Sequence, residues 1–415
     1  MMKQKFLWVA AALMMAACSG SGSDNENGTD PVPVICPIAE TIELTPVEQE
    51  LVSENNDFAF NLFRQTQDVN KSQVLSPLSI TYALGMLNNG AAGETQRQIN
   101  QVLGFKDKDT ANEFCKKMLT KAPSLDPQTT VSIANNIYLN KDYALKPVFV
   151  EKASTFYDAQ PETRDFHDGQ TLGVINQWAS DHTQGMIKEV LNNKTFNPNA
   201  VSYLLNATYF KGVWASKFNK ESTLDEDFQS YSQPYPKVPM MHQTGEFDYA
   251  ETDTYQALRK SYGNGAYAMT ILLPQAGKTV ADVLKGLTAD SWKQLHESLT
   301  ETEVQVALPR FESHTDVDLA DIMCSLGMPD AFDEMKAEFP DFCEKATFIG
   351  LMKQVAAIKV NEEGAEASAV TVIGMYETAV GPQMMKFFYA NRPFLYFISE
   401  QSTGTIFFMG QYSGK

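Results

Sequence analysis

The sequence predicts one large domain in which helices and buried strands are mixed. No Gly/Ser/Pro-rich linker interrupts the 415-residue chain after its first forty positions, so the length is spent on one core rather than several. Residues 48–65 place Leu51, Val52, Phe58, Leu62 and Phe63 on one helical stripe. Apolar runs at 131–139, 201–210 and 387–412 read as buried strands. A composition 43% hydrophobic and 11% aromatic supplies the core these elements need.

Taken in order, the chain opens on an export signal. Residues 1–17 carry Lys3 and Lys5 and then an apolar run, too short to span a bilayer. Met15-Ala16-Ala17-Cys18 reads as a bacterial lipobox, with Cys18 lipidated after cleavage; an ordinary secretory signal with an incidental cysteine is the alternative. Removing the two lysines shifts the formal net charge from −18 to −20. Such an acidic surface argues against nucleic acid as a partner. Residues 19–37 are rich in Gly, Ser, Asp, Asn and Pro and read as a flexible tether. The expected organisation is a signal peptide at 1–17, a lipidated and flexible segment at 18–45, and a folded domain at 46–415. Localisation follows: exported and anchored by lipid alone to a bacterial outer membrane, at the cell surface or on its periplasmic face. Cys36, Cys115, Cys324 and Cys343 remain; a Cys324–Cys343 bridge and free buried thiols both fit the spacing.

Within the body, Ser76 and Pro77 suit a helix start, Ser76 as cap and Pro77 in the first turn, and Gly90 and Gly93 end that helix. Residues 163–166 end a strand. Residues 172–191 are helical as far as His182. The strand at 201–210 continues through Asn206-Ala207-Thr208-Tyr209-Phe210-Lys211-Gly212-Val213-Trp214. Residues 387–412 form two strands about the turn Ser402-Thr403-Gly404.

The most informative stretch is 360–378. Glu362, Glu363 and Gly364 lead into Ala365, Glu366, Ala367, Ser368 and Ala369. From Ala365 every second residue is uncharged, through Ala367, Ala369, Thr371 and Ile373 to Met375, a period of two that suits a strand with one buried face. An Ala/Ser-rich surface loop, or a short helix over 362–369, fits the composition equally.

Enzyme signatures fail their context tests. Gly263-Asn264-Gly265-Ala266-Tyr267-Ala268 fits a dinucleotide pattern, but strand-like residues follow it, so it reads as a hairpin turn. The five histidines form no metal motif, and no nucleophile elbow occurs. No catalytic residue, metal or cofactor is expected, and the abundant carboxylates read as a solvated surface.

These segments together resemble the serpin family. The resemblance spans roughly residues 48–412 in at least six motifs, among them V-N-E-E-G-A-E-A-S-A, L-S-P-L-S-I, N-A-T-Y-F-K-G-V-W and the C-terminal hairpin. It implies an α+β fold: a large mixed sheet A, smaller sheets B and C, about nine helices, and an exposed reactive-centre loop. It implies that Glu362, Glu363, Gly364, Ala365, Glu366, Ala367, Ser368 and Ala369 are the hinge of that loop. Ser76, Ser79 and Asn206 would form the shutter beneath the sheet's middle, and Trp214 would stand at the breach where the loop begins to insert. Many serpins carry a histidine eight residues before the first hinge glutamate; here Gln354 stands there and retains a donor and an acceptor.

The implied function is suicide inhibition of a serine, or a cysteine, protease by a monomer. The family's spacing puts the reactive bond sixteen residues after Glu362, at Thr378–Ala379, which suits an elastase-like target. Tyr376 is the runner-up and suits a chymotrypsin-like one. Cleavage at Met384 or Met385 would place Pro382 inside the inserted strand, where it cannot donate to a ladder. Residues 380–390 are longer than the family usually has before Asn391-Arg392-Pro393-Phe394, which leaves the register open between Met375 and Met385. A non-inhibitory serpin acting as a carrier at the cell surface is the alternative, although its hinge would usually hold charged or bulky residues.

Overall fold

The computed structural model describes residues 39–365 and 385–414. Cys18, Cys36, the hinge residues Glu366, Ala367, Ser368 and Ala369, and the reactive-bond residues Tyr376, Thr378 and Ala379 lie outside the described residues. The helices are α1 (Pro46–Thr66), α2 (Pro77–Asn88), α3 (Gly93–Leu103), α4 (Lys108–Lys121), α5 (Pro147–Tyr157), α6 (Thr171–His182), α7 (Val280–Lys285), α8 (Ala289–Ser298) and α9 (Ala320–Leu326). The strands are β1 (Gln73–Leu75), β2 (Thr129–Asn140), β3 (Glu162–Arg164), β4 (Ser202–Val213), β5 (Leu224–Asp227), β6 (Lys237–Glu251), β7 (Tyr255–Tyr262) and β8 (Tyr267–Pro274). They continue as β9 (Thr300–Pro309), β10 (Phe311–Asp318), β11 (Met352–Asn361), β12 (Gly364–Ala365), β13 (Lys386–Tyr389), β14 (Phe394–Glu400) and β15 (Ile406–Tyr412).

Two sheets carry the fold. One is mixed, in the order β10-β11-β12-β4-β2-β3. The other runs β1-β15-β14-β8-β7-β6-β9-β13, with β5 on β6. The two smaller sheets expected from sequence are thus hydrogen-bonded into one path. The cause is the length of β6. Its 15 residues pair with β9 over Met240–Tyr249 and reach β7 only over Asp248–Glu251, so one strand serves both.

The helix α2 is buried over its whole length, from Pro77 to Asn88. Phe210 of β4 meets Phe408 of β15 edge-on at 5.9 Å, which ties the two sheets through one core. On the other face of the mixed sheet, Ile175 and Ala179 of α6 pack with Tyr203, Leu205, Ala207 and Val355. The mixed sheet is therefore covered on both sides, and its central strands read as near-continuous apolar runs. Ser76 does stand at the N-cap of α2, but its hydroxyl caps nothing; it donates to the Phe407 carbonyl at 2.8 Å. Ile42, within the segment counted above with the tether, is buried, and its N–H donates to Ser402 Oγ at 2.9 Å.

The Cys324–Cys343 bridge is absent: Cys115, Cys324 and Cys343 are free thiols. Cys343 is buried and donates to the Lys345 carbonyl at 3.0 Å, whereas Cys324 is half-buried on α9. Burial pushes the Cys115 thiol up to about 12. Iodoacetamide should therefore label Cys324 at least about tenfold faster than Cys115 in the native protein. Protection of Cys324 until a reductant is added would contradict this.

Candidate functional site

The mixed sheet is closed below and wedged open above. Residues Met352–Ala357 of β11 pair directly and in parallel with Leu204–Tyr209 of β4. Beyond Ala357 the two strands part, and the two residues of β12 fill the gap. Ala365 pairs with Val360 on one side and Gly212 on the other; Gly364 pairs with Asn361 and Val213. Both pairings are antiparallel. Gly364 has φ +141, and a Cβ there would lie 2.1 Å from the Gly212 carbonyl oxygen. Only glycine lets the chain reverse this close to β4.

Two glutamates clamp the chain just before this point. Glu362 is buried, paired with Arg310, and accepts from Thr223 Oγ1 at 2.7 Å. Burial raises its carboxyl, but the bonds from Arg310 and Thr223 outweigh burial and hold it below 4.5. Glu363 sits 2.7 Å from Lys217 and 2.9 Å from Lys220, whose bonds hold it below 4.5 as well. Carboxylates depressed in the fold contribute above their ordinary range, and the contribution is lost as pH falls through it. The backbone is held too: Trp214 N–H donates to the Glu363 carbonyl at 2.8 Å and Phe218 N–H to the Glu362 carbonyl at 3.0 Å. The Trp214 indole donates to the Asn361 carbonyl at 2.9 Å, and its ring stacks on Tyr262 at 4.2 Å. Asn361 Oδ1 accepts from Glu363 and Gly364 N–H, closing the turn.

Below the wedge lies a sealed polar cluster. Gln354 and Asn206 face each other across the parallel pairing, and Gln354 Nε2 donates to Asn206 Oδ1 at 2.7 Å. Gln354 also donates to the Ser76 carbonyl and to Ser79 Oγ, each at 3.0 Å, and accepts from Ser76 N–H at 3.1 Å. Ser79 Oγ donates to Asn206 Oδ1 at 2.7 Å. Asn206 in turn donates to Asn135 Oδ1 at 2.7 Å. The structure thus brings Ser76, Ser79, Asn206 and Gln354 together under the sheet and sets Trp214 with Glu362, Glu363, Gly364 and Ala365 at its open end. Sequence reasoning missed Asn135, Asn361, Arg310, Lys217 and Lys220. Asn361 had a local signal, an Asx-type turn residue directly before Glu362-Glu363-Gly364; Arg310 had none.

Replacing Gln354 by leucine would leave Ser76 N–H and Asn206 Oδ1 buried without that partner. Each stranded group costs about 1–3 kcal/mol. Asn206 Oδ1 keeps Ser79 Oγ and only Ser76 N–H is stranded outright, so Gln354→Leu should lower the unfolding free energy in urea by about 1–3 kcal/mol, and an unchanged midpoint would contradict the role given to this cluster.

Comparison with known proteins agrees with this architecture. Residues 53–414 match the family model described as Serpin (serine protease inhibitor). An uncharacterized serpin-like protein of Thermococcus kodakarensis is 32% identical over 374 residues, covering 88% of this chain and 85% of the relative. Human Serpin B8 is 34% identical over 374 residues, covering 88% of this chain and 99% of that protein. The native-state crystal structure of the thermophilic serpin tengpin superposes with a TM-score of 0.82 at 27% identity, over 91% of this chain and 97% of that one. The mixed sheet and the helix across it are those of the serpin fold, and the chain belongs to the serpin family.

Proposed function

We propose that this serpin is a suicide inhibitor of serine proteases. One observation carries the reading: Gly364 and Ala365 already sit between β11 and β4, hydrogen-bonded on both sides. Continuing that register one residue at a time sets Ala367 between Ile358 and Phe210, Ala369 between Ala356 and Thr208, and Thr371 between Gln354 and Asn206. These neighbours point into the main core. The interleaved residues Ser368, Val370 and Val372 fall on the face covered by α6. The small-to-large apolar alternation of the loop thus matches the face each residue would meet.

The chemistry runs in two stages. The protease nucleophile attacks the Thr378 carbonyl, an ester forms, and the amine of Ala379 departs. The freed end then inserts before water reaches the ester. The same register places Met375 opposite Ser202, the first residue of β4. Thr378 then lies about 10 Å past the sheet's lower end at about 3.3 Å per residue, close enough to press the tethered protease against the body. A small residue at 378 suits an elastase-like pocket, and Tyr376 would suit a chymotrypsin-like one. The protein acts as a monomer, reaches the cell surface or periplasm by its signal peptide, and meets the membrane only through lipid on Cys18. Among the described residues no helix is long and apolar enough to cross a membrane.

Incubation with a panel of serine proteases should give a complex that survives boiling in SDS, releasing a C-terminal fragment that begins at Ala379. A fragment beginning at Met385 or Lys386 would refute the register, and cleavage without any complex would favour the non-inhibitory carrier. Ala365→Arg should place a charge in a site that is 0% exposed, where an unpaired charge is costly. That variant should fold but be cleaved without trapping; an unchanged complex yield would contradict the insertion mechanism.

A further inference from the structure

Beneath the hinge lies a side chain that neither the sheet nor the glutamate clamp requires. Lys260 of β7 is 2% exposed. Its ammonium donates to Gln243 Oε1 at 2.8 Å and to the Ser216 carbonyl. Three rings surround it, with centroids at 4.6 Å for Phe218, 5.0 Å for Phe247 and 5.3 Å for Trp214. A cation so placed gains from the ring faces but forfeits its hydration.

The groups it holds are those that hold the hinge. Trp214 and Phe218 supply three hydrogen bonds to the carbonyls of Asn361, Glu362 and Glu363. Ser216 lies between them. One ammonium thus touches the beginning, middle and end of the segment 214–218.

We propose that Lys260 is a positioning residue for loop insertion, its amine tying segment 214–218 to β6 and β7 so that the hinge is held while the amine stays in its cage and loosened when protonation draws it out to water. For its effect on trapping, the inference rests on the inhibitory reading; for its effect on the hinge, it does not. The neutral amine keeps donors for Ser216 and Gln243 and can stay in the cage, whereas the charged one recovers its lost hydration only by leaving it.

The charged neighbours are otherwise engaged. On 214–222, Lys217 and Lys220 are tied to Glu363. On β6, His242 is tied to Glu226 and Asp248 to Arg259 of β7. On the hinge, Glu362 is tied to Arg310. Tyr262, stacked on Trp214, is a buried phenol whose ionisation burial opposes. Burial alone pushes the Lys260 ammonium down to about 7.

Global and local stability follow the same sign. The folded chain holds fewer protons than the unfolded chain between about 7 and the ordinary lysine value, so global stability gains from Lys260 as pH rises through that window. Opening 214–218 exposes the amine to water in the same way, so the local grip on the hinge also strengthens over that window. Hydrogen exchange of the 214–218 backbone in the intact protein, corrected for intrinsic rate, should gain about tenfold protection between about pH 6 and about pH 8.5. Lys260→Met and Lys260→Arg carry no group that titrates in this window, so neither should show this gain. With a trapped protease, the cleaved-to-trapped ratio should follow the same pattern. A pH profile in Lys260→Met or Lys260→Arg identical to that of the parent would overturn the proposal. If the parent forms no SDS-stable complex, the inhibitory reading fails, and the exchange profiles alone decide the role of Lys260.

Discussion

The structure depends on one pairing: the direct parallel contact of β11 with β4, six residue pairs long and interrupted above by β12. Parallel ladders are slightly weaker per residue than antiparallel ones. Insertion of residues 366–375 would exchange this one parallel interface for two antiparallel ones. It would also bury Val370, Val372, Ile373 and Met375. At about 1.5–3 kcal/mol for each large apolar side chain, the gain is on the order of 10 kcal/mol. That is comparable with the whole net stability of an ordinary domain. On the proposed mechanism, the described sheet is closed over a site that residues 366–375 would fill.

Two devices act on that pairing from opposite ends. At the lower end, Gln354 and Asn206 are each other's partner across the very interface that must open, and Ser76, Ser79 and Asn135 complete the cluster. Opening separates the amide pair, so the cluster resists spontaneous parting. Thr371, which the register brings between them, has a hydroxyl that could serve both. At the upper end, Glu362 and Glu363 fix the chain to Arg310, Lys217 and Lys220, and Trp214 fixes its carbonyls. With the chain pinned through Glu363, any insertion has to start at Gly364 and keep this register.

The local elements were legible in the sequence because their signals are local. The helix read at 48–65 lies within Pro46–Thr66, where Thr45 and Glu48 form a capping box. Gly364 was reached only through the resemblance of Glu-Glu-Gly before small residues to a serpin hinge. The loss of the Ser76 cap was not legible: its hydroxyl turns to Phe407, 331 positions away. Asn135 read as an ordinary polar residue in a strand, and only the register with Asn206 brings it to the cluster. Arg310, Lys217 and Lys220 become hinge residues through a single contact each with Glu362 or Glu363, and nothing in their own surroundings signals it. Lys260 carried no signal in the sequence, because a cage of rings from two other segments leaves no mark on its neighbours.

The central claim is that the described form holds back a more stable one containing the inserted loop. Thermal unfolding of the intact chain and of the same chain nicked once within 366–384 by a non-target protease, both ends retained, tests it directly. The account predicts that nicking raises the midpoint by tens of degrees, since about 1 kcal/mol moves the midpoint of a domain beyond 150 residues by about 2–4 °C. Coincident melts would contradict it.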